Sequence, residues 1–211
     1  MTRRLHRPAP SVSAHRAALA LGAAALALLT APASAWVLTL TPGPKQLFLM
    51  VAVGSAAANN PTVNTVSVNV PAASVGNATA LPMGSDSTQA ISPYDNFVVC
   101  NPPAQVYVGG SYRQPNATAG AATATLQVST PANLTSGADS IPFSQISWTS
   151  TANGNAAADI PAGTFNGATL FLASVPRNRF VENCFSYRYA NGVVAAPGTY
   201  TGRAVFTLVV P

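Results

Sequence analysis

The feature that most constrains this chain is its punctuation. From Trp36 onward the apolar runs are short, rich in Val, Thr, Phe and Tyr, and broken by Pro or Gly roughly every ten to twenty residues. No stretch carries a helical period over a useful length. Runs of this kind bounded by turn residues are the signature of strands. Strands are expected at 36–41, 46–53, 62–70, 96–100, 105–113, 122–129, 145–149, 169–175, 184–189 and 199–210. Breaks fall at Pro71, Pro82, Pro102-Pro103, Pro131, Pro161 and Pro197, where a missing N–H would interrupt a central ladder. Val66, Val68 and Val70 alternate with Thr65, Ser67 and Asn69, as a half-wet sheet requires. Leu47 to Val53 does not alternate and is expected to be covered on both faces. The pattern predicts an all-β chain, a single antiparallel β-sandwich.

Composition decides whether such a fold can hold a core. Of 211 residues, 48% are hydrophobic and only 7% charged, so the chain is not disordered by composition. The formal charge of +5 would suggest an acidic partner, but it is unevenly placed. Residues 1–35 hold Arg3, Arg4, Arg7 and Arg16 and no acid, followed by the apolar run Ala17–Leu29 and then Ala33-Ser34-Ala35. A basic stretch, an apolar run and a small-x-small site read as a secretory signal peptide. Thirteen apolar residues at about 1.5 Å each are too short for a hydrocarbon core of roughly 30 Å. Cleavage between Ala35 and Trp36 is therefore expected, leaving one domain over 36–211 with no membrane span. The product would be secreted to the periplasm, cell surface or extracellular space. The six bases and five acids that remain give +1, and no nucleic-acid partner is expected.

Cleavage would also remove His6 and His15, the only histidines. Ser-His-Asp and Cys-His nucleophile systems and His-containing zinc sites then have no members. Lys45 sits in Pro42-Gly43-Pro44-Lys45-Gln46, which is neither a phosphate loop nor a catalytic lysine motif. Asp86, Asp95, Asp139, Asp159 and Glu182 could supply a glycosidase pair but are expected to be scattered surface carboxylates. No catalytic, cofactor or metal residue is assigned, and the chain is expected not to be an enzyme. Cys100 and Cys184 are an even pair in an exported chain, which predicts a structural disulfide. Trp148, Tyr94, Tyr107 and Tyr112 could act as stacking platforms in a carbohydrate-binding or adhesive sandwich, although single strand aromatics are commonly core. An outer-membrane barrel fits poorly, given the long Pro-rich connections and an ending without a terminal aromatic. Asn77, Asn116 and Asn133 begin sequons that could carry glycans, but about three would arise by chance.

The C-terminal stretch carries a resemblance. Tyr189-Ala190-Asn191-Gly192, then Pro197-Gly198-Thr199-Tyr200-Thr201-Gly202 and the alternating Ala204, Phe206, Leu208 and Val210, resembles the ending of spore coat U-like and chaperone-usher pilin subunits. In those families a glycine often stands fourteen residues from the end, the place Gly198 holds here. The resemblance implies an immunoglobulin-like sandwich missing one strand. It also implies partners: a periplasmic chaperone that grips the last strand, here Gly198, Tyr200, Phe206, Leu208 and Val210, and copies of the chain itself. The gap would be filled by the N-terminal strand of the next copy. Trp36, Leu38 and Leu40 alternate with Val37, Thr39 and Thr41 and are set off by Pro42-Gly43-Pro44, so 36–45 is the expected donor strand and linker. The competing expectation is an ordinary first strand, since six residues span only about 20 Å.

Overall fold

A computed structural model of the chain describes residues 39–52, 64–115 and 120–210. The described residues are almost wholly strand and loop. In chain order the strands are β1 (Gln46–Val51), β2 (Val66–Ser67), β3 (Leu81–Pro82), β4 (Gly84–Ser85), β5 (Val106–Arg113), β6 (Thr123–Ser129), β7 (Asn133–Ser136), β8 (Asp139–Pro142), β9 (Ile146–Ser150), β10 (Gly163–Thr164), β11 (Thr169–Pro176), β12 (Arg179–Tyr189) and β13 (Val205–Val209). All strand pairs are antiparallel. The larger sheet runs β1-β5-β12-β9-β10, with β3 added beside β12, and the smaller runs β11-β6-β13. Two small ribbons, β2-β4 and β7-β8, complete the set.

One apolar core joins the two principal sheets, because side chains alternate across each strand. Val106, Val108 and Tyr112 of β5, and Val181, Phe185 and Tyr187 of β12, meet Ala124, Leu126 and Val128 of β6, Val175 of β11 and Leu208 of β13. An aromatic cluster closes the β9 side. Phe165 sits edge-on to Phe143 at 5.2 Å and 4.8 Å from Trp148, whose indole N–H donates to the Pro161 carbonyl at 3.0 Å. The partner matters because a buried indole otherwise carries an unsatisfied donor.

The opposite face of β5 and β12 is covered too, by a strap formed by residues 86–105. Met50, Tyr107, Cys100 and Cys184 form a second core there, with Phe48 and Val99 packed against it. The Cys100–Cys184 disulfide is formed as expected and ties the strap to β12 with a Cα–Cα distance of 5.5 Å. This double cover explains why seven of the eight residues of β5 are buried.

Several expected boundaries move. Residues 96–100 are not a strand: the strap folds on itself through one bridge between Ile91 and Val98, and Phe97 and Val98 are exposed. β12 begins at Arg179, five residues before its expected start, and the last strand is confined to Val205–Val209. Only Val66–Ser67 is strand within the described part of 62–70, although Val66, Val68 and Val70 do pack on the main core. Residues 39–41 are not strand, and the rest of the expected first strand, Trp36 to Leu38, lies outside the described residues, as do the leader and its Ala35 cleavage site. No helix among the described residues is long and apolar enough to cross a membrane.

Candidate functional site: two open strand edges

The first and last described strands lie side by side without pairing. β1 bonds only to β5 and β13 only to β6, so among the described residues each keeps one unpaired edge. Their inward side chains converge. Leu49 and Val51 of β1, with Phe206 and Val210 at the C-terminal strand, are half-buried against the core, and Leu208 is buried among them. Leu47 continues the row but is 39% exposed, so this face of β1 is partly covered, where its sequence predicts full cover on both faces. The floor is Gly110, opposite Leu49 in the β1–β5 register. A Cβ there would stand 3.3 Å from Leu208 Cδ2 and 3.2 Å from the Phe48 carbonyl. The glycine gives the C-terminal strand room to settle beside β1.

Neither edge carries an ionisable residue: β1 is QLFLMV and β13 is VFTLV. Free edges normally avoid pairing with other chains by charge, proline, bulges or shortness. The opposite side of the molecule uses two of these devices. There β10 is only two residues long, and β11 has a register shift between Phe171 and Ala173. The β1–β13 seam has unpaired backbone groups and apolar side chains, and it lacks both devices. Among the described residues the seam thus offers backbone donors and acceptors beside apolar side chains, and neither strand carries a carboxylate, amine, guanidinium or thiol.

The strap braces β1 from behind. Tyr94 stacks on Phe180 at 4.2 Å and meets Phe48 edge-on at 5.8 Å. Beneath them Glu182 is only 7% exposed, and its Oε2 accepts hydrogen bonds from Ser92 Oγ and Tyr107 Oη, both at 2.8 Å. Burial pushes the Glu182 carboxyl above the ordinary carboxylate range, partly opposed by those two donors. Burial, together with the charge of Glu182, pushes the Tyr107 phenol up as well. Gly109 makes the contact feasible, since a Cβ there would lie 2.3 Å from Tyr107 Oη.

Glu182 thus departs from the expectation of scattered surface carboxylates. The sequence also gives no hint of its partners, which come from two distant segments. The Gly109-Gly110 doublet is the legible signal, because glycines inside a strand mark close approach. Trp148, Tyr107 and Tyr112 are buried, and the Tyr94 ring is taken up by Phe180 and Phe48, so none of these four presents an open face for stacking. Gly198 packs against β7, where a Cβ would fall 2.6 Å from Ser136 Oγ, and the Tyr200 hydroxyl donates to the Ala196 carbonyl. Of the expected donor residues only Leu40 is described. It is half-buried, and its amide donates to the Asn178 carbonyl at 3.0 Å, within its own domain. Among the described residues no group of three or more His, Cys, Asp or Glu is placed to hold a metal.

No family model, curated protein or solved structure matches this chain.

Proposed function

We propose that this is an exported, non-enzymatic structural subunit that associates with copies of itself by β-strand addition. In this reading the two sheets form an immunoglobulin-like sandwich short of one strand, as the resemblance to spore coat U-like and pilin subunits implies. The observation that carries it is the uncharged free edge of β13 beside that of β1, with Leu47, Leu49, Val51, Phe206 and Val210 incompletely covered. An added strand would bond to an open edge and bury these side chains, which is how strand addition gains affinity and specificity. A periplasmic chaperone would use the same seam before assembly. The carbohydrate-binding alternative draws no support from the aromatic residues it needs.

The donor in this reading is the segment of Trp36, Leu38 and Leu40 from another copy. Because Leu40 bonds to Asn178 of its own domain, a donor that leaves this bond in place has residues 36–39 alone to offer, a reach of about 13 Å. Five residues of β13 extend about 16 Å, so full insertion requires Leu40 to let go of Asn178. The test is the size of the exported protein by light scattering, for wild type and Leu47→Lys. Leu47 is partly exposed, so its replacement should shift stability by about 1 kcal/mol or less. It puts a charge at the mouth of the seam. Wild type should form oligomers and Leu47→Lys should remain a folded monomer. A monomeric wild type, or a variant that assembles as well as wild type, contradicts the proposal.

A further inference from the structure

The cluster around Glu182 has no part in strand addition, and it is built in an unusual way. A carboxyl group lies at the centre of β12, beneath a strap, and among the described residues it is bonded to neutral hydroxyls alone. Among the described residues the groups acting on its charge are Ser92 and Tyr107, which favour the ionised form, and Asp95 and Asp159, which oppose it, with no cation among these. The other elements packed on this face supply no compensation. β1 contributes Phe48 and Met50, and the strap adds Tyr94 and Cys100, the latter tied up in the disulfide. By register the cation on the same face of β5 is Arg113, four residues beyond Gly109 and so about 13 Å along the strand. Its guanidinium lies against Gly43.

A buried carboxylate with acidic neighbours and no counter-cation is costly when ionised, and the cost is relieved by taking a proton or regaining water. Water can return only if the strap lifts. Cys100 is fixed by the disulfide, so the part able to move is residues 88–99, which are held down by the Ser92–Glu182 bond, the Tyr94 ring, Val99 against the second core and the Cys100 N–H bond to the Ala90 carbonyl. The backbone contacts within this part are few: Ser92 N–H to the Phe97 carbonyl, Asn96 N–H to the Ser92 carbonyl and Val99 N–H to the Ala90 carbonyl.

We propose that Glu182 is a proton-operated latch for this strap: protonated, it keeps residues 88–99 closed over β1, β5 and β12, and ionised, it drives them open. Opening bares the buried Met50 and Tyr107 and the covered part of the half-buried Phe48 and Phe180, an apolar face. The sign follows from linkage. A carboxyl held above its ordinary range when closed stabilises the closed form fully below the ordinary carboxylate pKa, and that stabilisation is lost as pH rises through the closed-state value. The strap is therefore an acid-closed element, independent of whether the β1–β13 seam accepts a strand.

Hydrogen exchange of the oxidised full chain over a pH series tests this, with rates corrected for the intrinsic effect of pH. The amides of Ser92, Asn96 and Val99 report on the strap, and those of β6 report on the rest of the fold. In wild type, strap protection should fall by up to about tenfold per pH unit across the Glu182 transition while β6 stays constant. Glu182→Gln, which keeps a neutral acceptor, should make strap protection independent of pH. Direct carbon-13 titration of the Glu182 carboxyl in wild type should give a midpoint above the ordinary range and coincident with the loss of protection. Pairing that titration with wild-type exchange keeps the test decisive should the variant fold poorly. Flat protection in wild type, a slope that persists in Glu182→Gln, or a Glu182 carboxyl titrating at its ordinary value would overturn the latch.

Discussion

Replacing Gly109 with alanine puts a methyl group where the Tyr107 ring lies. The new carbon would be 2.3 Å from Tyr107 Oη, 2.7 Å from Cζ and 2.9 Å from Cε1, each well inside contact distance. Gly109 has ordinary negative-φ backbone, so the cost is steric and not conformational. The ring cannot retreat easily, because Tyr107 is fully buried among Met50 and the two cysteines. Overpacking of this kind costs about 1–3 kcal/mol. Moving the hydroxyl also takes a donor from the buried Glu182 carboxyl, and a buried polar group that loses its partner costs about 1–3 kcal/mol. Together they predict a loss of about 3–5 kcal/mol, or a drop in Tm on the order of 10 °C for a domain of this size. Denaturant unfolding of oxidised protein measures it. Adding Tyr107→Phe removes the atom in closest conflict, so the double variant should be more stable than the sum of the two single losses predicts. A Gly109→Ala protein with an unchanged midpoint, or strict additivity in the cycle, would refute the reasoning.

Two further outcomes follow from the buried polar groups. Asn183 is fully buried, accepts the Ile160 amide at 2.7 Å and donates to the Thr151 carbonyl, thereby holding the 151–160 loop to β12. Asn183→Ala should cost about 2–4 kcal/mol and open that loop to limited proteolysis, and an uncut loop would count against its role. Burial holds the Tyr94, Tyr107 and Tyr187 phenols well above their usual value, so their neutral forms stabilise the fold at pH below about 10 and that stabilisation is lost as pH rises further. In an alkaline titration followed by tyrosinate absorbance, these three should ionise only together with unfolding; smooth ionisation in the folded state would contradict their burial.

How far the sequence alone reaches can be judged strand by strand. β1, β5, β6, β9 and β11 are legible because their apolar content is local and their ends are marked by Pro or Gly. The start of β12 is not, because Glu182 and Asn183 interrupt the apolar pattern. Their burial depends on Ser92, Tyr107, Ile160 and Thr151, residues remote in sequence. Phe97-Val98-Val99-Cys100 has strand composition yet forms a strap, because its pairing partners were already taken: β5 is bonded on both sides by β1 and β12. The β7–β8 hairpin hides behind polar residues, although Gly137, with φ of 59° at its turn, was a readable signal. At the seam, the alternation of Phe206, Leu208 and Val210 marks the inward face of the last strand. That its outer edge stays unpaired among the described residues is a property of sheet order, which no local pattern encodes.

The central proposal is that the outer edge of β13 receives a strand, and amide exchange at Val205 to Val209 measures this most directly. With a saturating synthetic peptide spanning Trp36 to Thr41, added to protein lacking residues 36–41, the amides on the outer edge of β13 should gain protection while those of β5 and β12 are unchanged. If the truncated domain is folded and β13 exchange is the same with and without peptide, the seam is not an acceptor and the strand-addition account is wrong.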